Sequence, residues 1–507
     1  MGKLFISGRY KNIPKLVSDL KLESEKTIVK RGERMAIRLF KSMAVRVPAY
    51  ASFLKRRRFD YRKVKTIKDF IRVPTIDKEN YLRQYSLASL CWDGKFNEKQ
   101  WVISTTSGST GEPFYFPREE SQIWQYAGTA EMYLRTNFQI HKQSTLYIDA
   151  FPMGAWIGGL FTYEAVRLIA QRGNYKLSII TVGIDKKEII KSVKKFGKEF
   201  DQIIIGCYGP FLKDAIDDGL SRGLKWKDYN LKFVFSAEGF SEDFRDYIAE
   251  KTGLDNIYLD TLNHYGTVDQ GTLSYETPIS ILARRLAIKN SVFYDSIFPS
   301  KNKLPTLTQY DPELFYFEDV KGSLLCSSYS GIPLVRYDLK DNGGVISFEE
   351  MKQKMKSAGL NLGADLHKNG IKNTVWPLPF VYVYERKDFS VSLYAFQIYP
   401  ETIRKALFSK QLQSFITGKF SMLVKYDRLR DQYLEINVEL KREVHPGRTL
   451  KKDIKKIVVD YLVKENSEYR KTYGELKKKV EPKIVFWQYE HDKYFKLGTK
   501  QKWVSSI

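Results

Sequence analysis

Between Ser144 and Gly266 the chain alternates short apolar runs with helix-patterned stretches, without an internal sequence repeat. The runs are "STLYIDAF", "YKLSIITVG", "DQIIIGCYG", "LKFVFSAEG" and "DNIYLDTLNHYG", and the last four close on glycine. "WIGGLFTYEAVRLIAQRG" and "DKKEIIKSVKKFGKEF" stand between runs, the second with Ile189, Ile190, Val193 and Phe196 on one helical face. Strands that alternate with helices predict a mostly parallel sheet covered on both faces. On such sheets ligands bind at the carboxyl ends of strands, and the glycine turns mark those ends.

The flanks differ from this core. The first hundred residues read as helical, through "TIVKRGERMAIRLFKSMAV" and a short capped helix in "DKENYLRQYSL" after Pro74. Beyond about residue 385, "FSVSLYAF" reads as a strand and "YPETIRKALFS" as a helix. "FSMLVKYD" and "QYLEINVEL" read as hairpin strands, and "LKKDIKKIVVDYLVKEN" as an amphipathic helix. At 507 residues the chain exceeds one ordinary core. The expected fold class is α/β: a large N-terminal domain of several subdomains over residues 1–387, then a small, mobile α+β lid domain over 388–507. Within the large domain, residues 1–100 are helical, 101–341 form the α/β core, and 342–384 form an insertion of helix, polar loop and strand.

Composition narrows the partners. Lysine and arginine number 84 against 59 acidic residues, so the net charge is +25, which favours anionic partners. The excess is spread, with "LKRRRFDYRKVK" and "ELKKKVEPK" the densest spots, and nothing resembles a nucleic-acid-binding motif. Cys91, Cys207 and Cys326 are far apart and read as buried free thiols in a reducing compartment. No window reaches the roughly 18–20 apolar residues of a membrane span. "MGKLFISGRYKNIPKLV" has no signal-peptide pattern, and Ile6 stands where myristoylation needs Ser or Thr. The expectation is a cytoplasmic protein with no transmembrane segment. No two of the five histidines have metal-ligand spacing, and no G-x-S-x-G elbow occurs.

One loop carries chemistry. In "VISTTSGSTGEPFYF" hydroxyl residues crowd around glycines between two strand-like flanks. Glycine allows close backbone approach, and N–H groups with Ser and Thr hydroxyls suit a polyanion such as a triphosphate. The loop leads into a strand and lacks the lysine of the strand–GxxxxGKS–helix loop. Alone it fits a phosphate loop or an ordinary Ser/Gly turn.

Its company resembles a family. "TSGSTGEP" is similar to the phosphate loop of adenylate-forming enzymes, which include acyl-CoA synthetases, luciferases and adenylation domains. "SAEGFSEDFRDYIAEKTG", "NHYGTVDQG", "GIPLVRYDLKD", "ERKDFSVSLYAFQIYPETIRKAL" and "FKLGTKQKW" follow in that family's order, and "FIRVPTIDKENYLRQYSL" resembles an N-terminal segment of its phenylacetate–CoA ligase branch. The resemblance covers about residue 40 to residue 503. It implies a ligase that uses ATP and Mg2+ to activate a carboxylic acid as acyl-adenylate. The acyl group then passes to CoA, a carrier thiol or a sugar amine. Related proteins occur in capsule or surface-polysaccharide gene sets.

The resemblance also implies roles. Thr106, Ser107, Gly108, Ser109, Thr110 and Gly111 would wrap the ATP phosphates. Ser236, Ala237, Glu238 and Gly239 match the adenine-binding turn, which also reads as a strand-to-helix turn capped by Ser241. Tyr265 and Gly266 match residues flanking adenine and the acyl site. Asp341 matches the ribose aspartate, flanked by Arg336 and Tyr337, and Arg386 also aligns near ribose. Asp269 stands in place of the magnesium-binding glutamate, and Val268 in place of a threonine. Asp388 matches the hinge about which the small domain swings, and Lys500 the lysine that reaches the reacting oxygens. Phe151, Trp156 and Tyr208 lie at strand ends, where they line an acyl pocket or simply pack in the core. His264 faces that pocket or packs. No basic residue stands out there as a carboxylate clamp. Two rival readings remain: an acyl-protein synthetase that transfers to a partner cysteine, and a degenerate nucleotide-binding module.

Overall fold

The computed structural model describes residues 8–106, 113–154, 157–236, 239–299, 304–386, 390–407, 409–412, 414–491 and 494–495. The expected apolar runs fold as strands β3 (Thr145–Asp149), β4 (Leu177–Thr181), β5 (Gln202–Cys207), β6 (Leu231–Phe235) and β7 (Thr261–Thr267). A separate hairpin, β1 (Val102–Thr105) and β2 (Tyr115–Arg118), precedes them. After them come β8 (Gly271–Tyr275), β9 (Thr306–Gln309), β10 (Phe315–Val320), β11 (Ser323–Ser328), β12 (Leu334–Ile346) and β13 (Phe380–Arg386). Among the described residues, β3–β13 form one 11-stranded sheet in the order β10-β11-β12-β13-β9-β8-β7-β6-β5-β3-β4.

This sheet changes character at β7. On one side β4, β3, β5, β6 and β7 run parallel, because each is joined to the next by a helix. On the other side every pairing from β7 to β10 is antiparallel. Strand alternation sorts the parallel half into two cores. Tyr147, Ile204, Val234 and Leu262 project to one face and pack with residues of the helix Glu120–Thr136. Leu146, Ile148, Ile203, Ile205, Phe233 and Phe235 project to the other and pack with Ile189, Ile190, Val193 and Ile248. That second core runs on into the C-terminal unit through Tyr394, Ile436 and Ile454.

An α/β body with its sheet covered on both faces, followed by a small α+β unit, is the expected fold class. Three local expectations change. In "DNIYLDTLNHYG" the first residues form a single helical turn, Ile257–Asp260, because Asn256 Oδ1 caps Tyr258 N at 3.0 Å; the strand starts only at Thr261. "DKENYLRQYSL" forms only the 3-10 turn Leu82–Gln84, since Asp77 and Asn80 spend their side chains on each other's backbone N–H at 2.9 and 2.7 Å. "FSVSLYAF" is a hairpin, β14 (Val391–Leu393) and β15 (Phe396–Ile398), turning through Tyr394 (φ 46°) and Ala395 (φ 70°).

The remaining C-terminal strands, β16 (Ile416–Tyr426), β17 (Gln432–Leu440) and β18 (Lys483–Trp487), make a three-stranded sheet. The helices Arg448–Glu465 and Ser467–Leu476 accompany it. Ion pairs join this unit to the large one: Lys213 meets Asp431 at 2.6 Å, and Lys479 pairs with Asp214, a residue 2% exposed. Residues 342–384 begin inside β12 and end inside β13. The helices Phe348–Ser357 and Leu362–Lys368 fill the span between. Cys91, Cys207 and Cys326 are buried free thiols, as expected, and no helix among the described residues is long and apolar enough to cross a membrane.

Candidate active site

The β1–β2 hairpin presents the hydroxyl loop. Residues 107–112, hence Ser107, Gly108, Ser109, Thr110 and Gly111, lie outside the described residues. Thr106 closes the neck: its N–H donates to Phe114 O and its Oγ1 accepts from Phe114 N, both at 3.0 Å. At the far end of β2, Arg118 is buried and ties the hairpin to the β7–β8 turn, donating from Nη2 to Val268 O and from Nη1 to Phe116 O at 3.2 Å. Among the described residues its Nε has no partner, and burial pulls its pKa down to about 10, against an opposing pull from Asp269.

Asp269 ends the same turn and is buried. It accepts from Tyr337 Oη and pairs with Lys78 Nζ at 3.2 Å. Among the described residues no group of three or more His, Cys, Asp or Glu gathers at metal-binding geometry. Asp269 would therefore be a lone carboxylate ligand. That donor set fits Mg2+ completed by substrate phosphates, since Mg2+ is held by one or two carboxylates plus phosphate oxygens and water.

Across the sheet, Tyr265 on β7 donates from its hydroxyl to Asp341 Oδ2 at 2.6 Å. Two motif residues far apart in sequence thus meet, and Asp341 stands opposite Arg386 in the β12–β13 register. The Arg386 side chain lies outside the described residues. Gly266 has a packing reason: a Cβ there would lie 2.6 Å from Gly271 O. Arg336 is committed elsewhere. It pairs with Glu318 at 3.0 Å and donates to Val73 O, so it ties the N-terminal segment to β12.

Ser236 follows β6, and Gly239 comes so close to Thr306 Oγ1 that a Cβ would meet it at 2.7 Å. Ser241 caps the next helix, its Oγ accepting from Phe244 N at 3.2 Å. Ala237, Glu238, Trp156, Asp388 and Lys500 lie outside the described residues.

The three described pocket candidates separate. Phe151 packs against Tyr208 with ring centroids 5.8 Å apart, and Tyr208 lines a small cleft shared with Tyr394, Phe396 and Lys471 of the C-terminal unit. His264 is buried on the opposite side, against Tyr133 at 5.2 Å and Tyr126 at 6.2 Å. Its Nε2 has no partner, and burial pushes its pKa down to about 3. Asp149, at the end of β3, has 0% exposure. Its Oδ1 accepts from Phe151 N at 3.2 Å and its Oδ2 has no partner. Burial pushes its pKa up to about 8, the Phe151 bond opposing.

Lys78, Arg118 and Asp149 were not singled out in the sequence. Lys78 sits in a segment that itself carries the resemblance; for Arg118 and Asp149 no local pattern exists, because burial is a tertiary property.

No family model and no curated protein matches the sequence. Solved structures do. The chain is similar to 2-hydroxyisobutyryl-CoA ligase in complex with 2-HIB-AMP and CoA in the thioesterification state. Identity is 14%, coverage is 92% of this chain and 88% of that one, and the TM-score is 0.63. The same ligase in the postadenylation state with 2-HIB-AMP, and in an open conformation with 2-HIB-AMP and CoA, scores 0.52 in each case. Identity is again 14%, and coverage is 95% of this chain and 89% and 91% of those. At this identity the likeness defines the fold alone, which this chain shares with 2-hydroxyisobutyryl-CoA ligase.

Proposed function

We propose that the protein is an ATP- and Mg2+-dependent ligase that activates a carboxylic acid as its acyl-adenylate and passes the acyl group to CoA or another small acceptor. The observation that carries this reading is the Tyr265–Asp341 hydrogen bond at 2.6 Å, which joins two separate motifs of the resemblance on a fold shared with an acyl-CoA ligase. A phenylacetate–CoA ligase-like subclass, a place in capsule assembly and a cytoplasmic setting belong to the same proposal.

In this reading Asp341 takes the ribose diol, since a carboxylate accepts two hydroxyl bonds at once. Tyr265 holds that carboxylate in place. Thr106 keeps a hydroxyl proton for the phosphates after its oxygen has accepted from Phe114. Ser107–Gly111 complete the phosphate loop, and Ser236–Gly239 and Gly266 border adenine. Arg386 joins Asp341 at the ribose. Asp269 would hold the magnesium ion, which when bound shields phosphate charge. Lys500 neutralises charge that develops as the carboxylate attacks the α-phosphate, and Asp388 is the hinge. Phe151, Trp156, Tyr208 and His264 border the acyl group. Residues 1–387 and 388–507 act as body and lid. The higher score against the thioesterification state supports a docked lid in the thiol-attack arrangement.

Acid-dependent pyrophosphate release with ATP, Mg2+ and a broad acid panel tests this; no release with any acid would refute it. A second reading, nucleotide binding without turnover, draws on the Lys78–Asp269 pair, which places a cation where the metal would go. ATP binding without pyrophosphate release would favour it.

A further inference from the structure

We infer that the N-terminal helical segment docks on an anionic lipid surface, with the outer face of the helix Glu25–Arg46 at its centre. The inference stands apart from the ligase reading.

Residues 8–72 hold 20 Lys and Arg against 6 Asp and Glu, a net +14 of the chain's +25. Folding sets much of this excess on one face. In the 22-residue helix Glu25–Arg46, Ile28, Leu39, Phe40 and Met43 are buried, and a Cβ on Gly32 would meet Pro312 Cβ at 2.5 Å. This inner face packs on β10, β11 and β12. The outer face carries Lys26, Lys30, Arg34, Arg38 and Lys41, all exposed, and then Val45, 64% exposed. At 3.6 residues per turn these six positions fall within about 120° of arc, and no acid stands among them. Glu33, at the edge of the stripe, is half-buried and acts electrostatically on Tyr316 instead.

The stripe broadens beside the helix. The rings of Phe59 and Phe70 meet Phe40 nearly at right angles, at 6.3 and 6.1 Å, which seats the segment between them along the helix's flank. That segment exposes Lys63, Lys65 and Lys68, and Ile71 follows at 52% exposure. Its two acids are engaged locally. Asp60 pairs with Arg62 at 2.9 Å, and Asp69 accepts from the N–H groups of Lys65 and Thr66.

Other helices of this protein treat their cations differently. Lys191 has Glu188, Arg222 has Asp218, Lys352 has Glu349 and Lys354 has Glu350 one turn away. Here Lys26, Lys30 and Arg34 follow at four-residue spacing, where like charges weaken a helix. An external anionic surface offsets that cost. The exposed apolar pair selects lipid: Val and Ile sink into a headgroup layer while the lysines meet its anionic lipids. A single-stranded nucleic acid would need exposed aromatic rings, and Phe40, Tyr50, Phe53 and Phe70 are buried. A duplex reader would add amide side chains for base edges, and this face has none.

Co-sedimentation of the full-length protein with phosphatidylcholine vesicles, with and without phosphatidylglycerol, tests this at low and high salt. Binding should require phosphatidylglycerol and fall as salt rises. Lys30→Gln, Arg34→Gln and Lys41→Gln together should weaken it about a hundredfold, at about fivefold per charge. Lys451→Gln, Lys452→Gln and Lys456→Gln remove as many exposed cations from the C-terminal unit and should weaken it less than about tenfold. The melting temperature of the first triple variant should match or exceed the parent's, because like-charge repulsion is removed. No binding with phosphatidylglycerol, equal binding without it, or equal losses in the two triple variants overturns the inference. A lower melting temperature in the first variant also overturns it, since the stripe would then brace the fold. Tighter binding to duplex DNA, lost in that same variant, overturns it in favour of a nucleic-acid partner.

Discussion

Two sets of buried polar side chains lie against the same sheet, and they are built in opposite ways. In the first, Arg245 makes a two-oxygen contact with Glu276 at 2.8 Å and meets Glu242 at 3.0 Å. Arg284 pairs with both acids at 3.0 and 2.7 Å. Thr261, the Asn263 N–H and the Phe240 carbonyl complete the set, while Arg284 Nε has no partner among the described residues. In the second, Arg118, Asp149 and His264 each leave a polar atom unmatched. Satisfied charges hold helices to strands. Unmatched ones are stability given up, at roughly 1–3 kcal/mol for a buried group, and such sacrifice concentrates where a ligand completes the bonding.

The largest break in this comparison should come from the satisfied cluster. Glu276→Ala leaves two buried arginines short of a partner and should cost about 3–5 kcal/mol, read as a collapse in thermal stability or soluble yield. A change near zero would mean the cluster does not brace the fold. Asp341→Ala should leave stability almost unchanged and lower kcat/KM for ATP about a hundredfold, while Tyr265→Phe lowers it about tenfold; ATP-dependent kinetics separate the two.

The unmatched cluster makes a pH prediction. Asp149 is raised from 3.8 to about 8, so the folded state favours its neutral form. Its stabilising share is complete below the ordinary value and is lost as pH rises toward 8. The melting-temperature gain of Asp149→Asn over the parent should therefore widen from pH 5 to pH 8, and a constant gain would contradict the burial. His264 acts in the other direction: its pKa is lowered from 6.5 to about 3, so stability is lost as pH falls below 6.5. The last prediction concerns the contact between the units. Lys479 is partly exposed but its partner Asp214 is buried, so Lys479→Met should loosen docking by about 1–3 kcal/mol, read by limited proteolysis.

Much of the architecture was legible because its causes are local. The parallel strands announce themselves as apolar runs with glycine stops, and Ser241 as a cap. The misread pieces depend on contacts farther away. The β14–β15 turn uses Tyr394 and Ala395 instead of glycine or asparagine, and Gln432 Oε1 pins it by accepting from Tyr394 N at 2.7 Å. Of the site, the family resemblance named Tyr265 and Asp341, but only folding brings them into contact. Asp149 looked like one more residue in an apolar run. Its meaning lies in an absent partner, which no one-dimensional pattern records.

The pairing of Asp341 with Arg386 has a consequence for how this chain can change. The ends of the excursion that carries the helices Phe348–Ser357 and Leu362–Lys368 are clamped side by side by the strands themselves. Loop-closure cost grows only logarithmically with length, so chain added to the exposed turns of that excursion costs the strands little. Its buried side is not free in that way: Phe348, Met351 and Met355 share a core with Phe293 and Phe380, so new surface can be written on the outer turns alone.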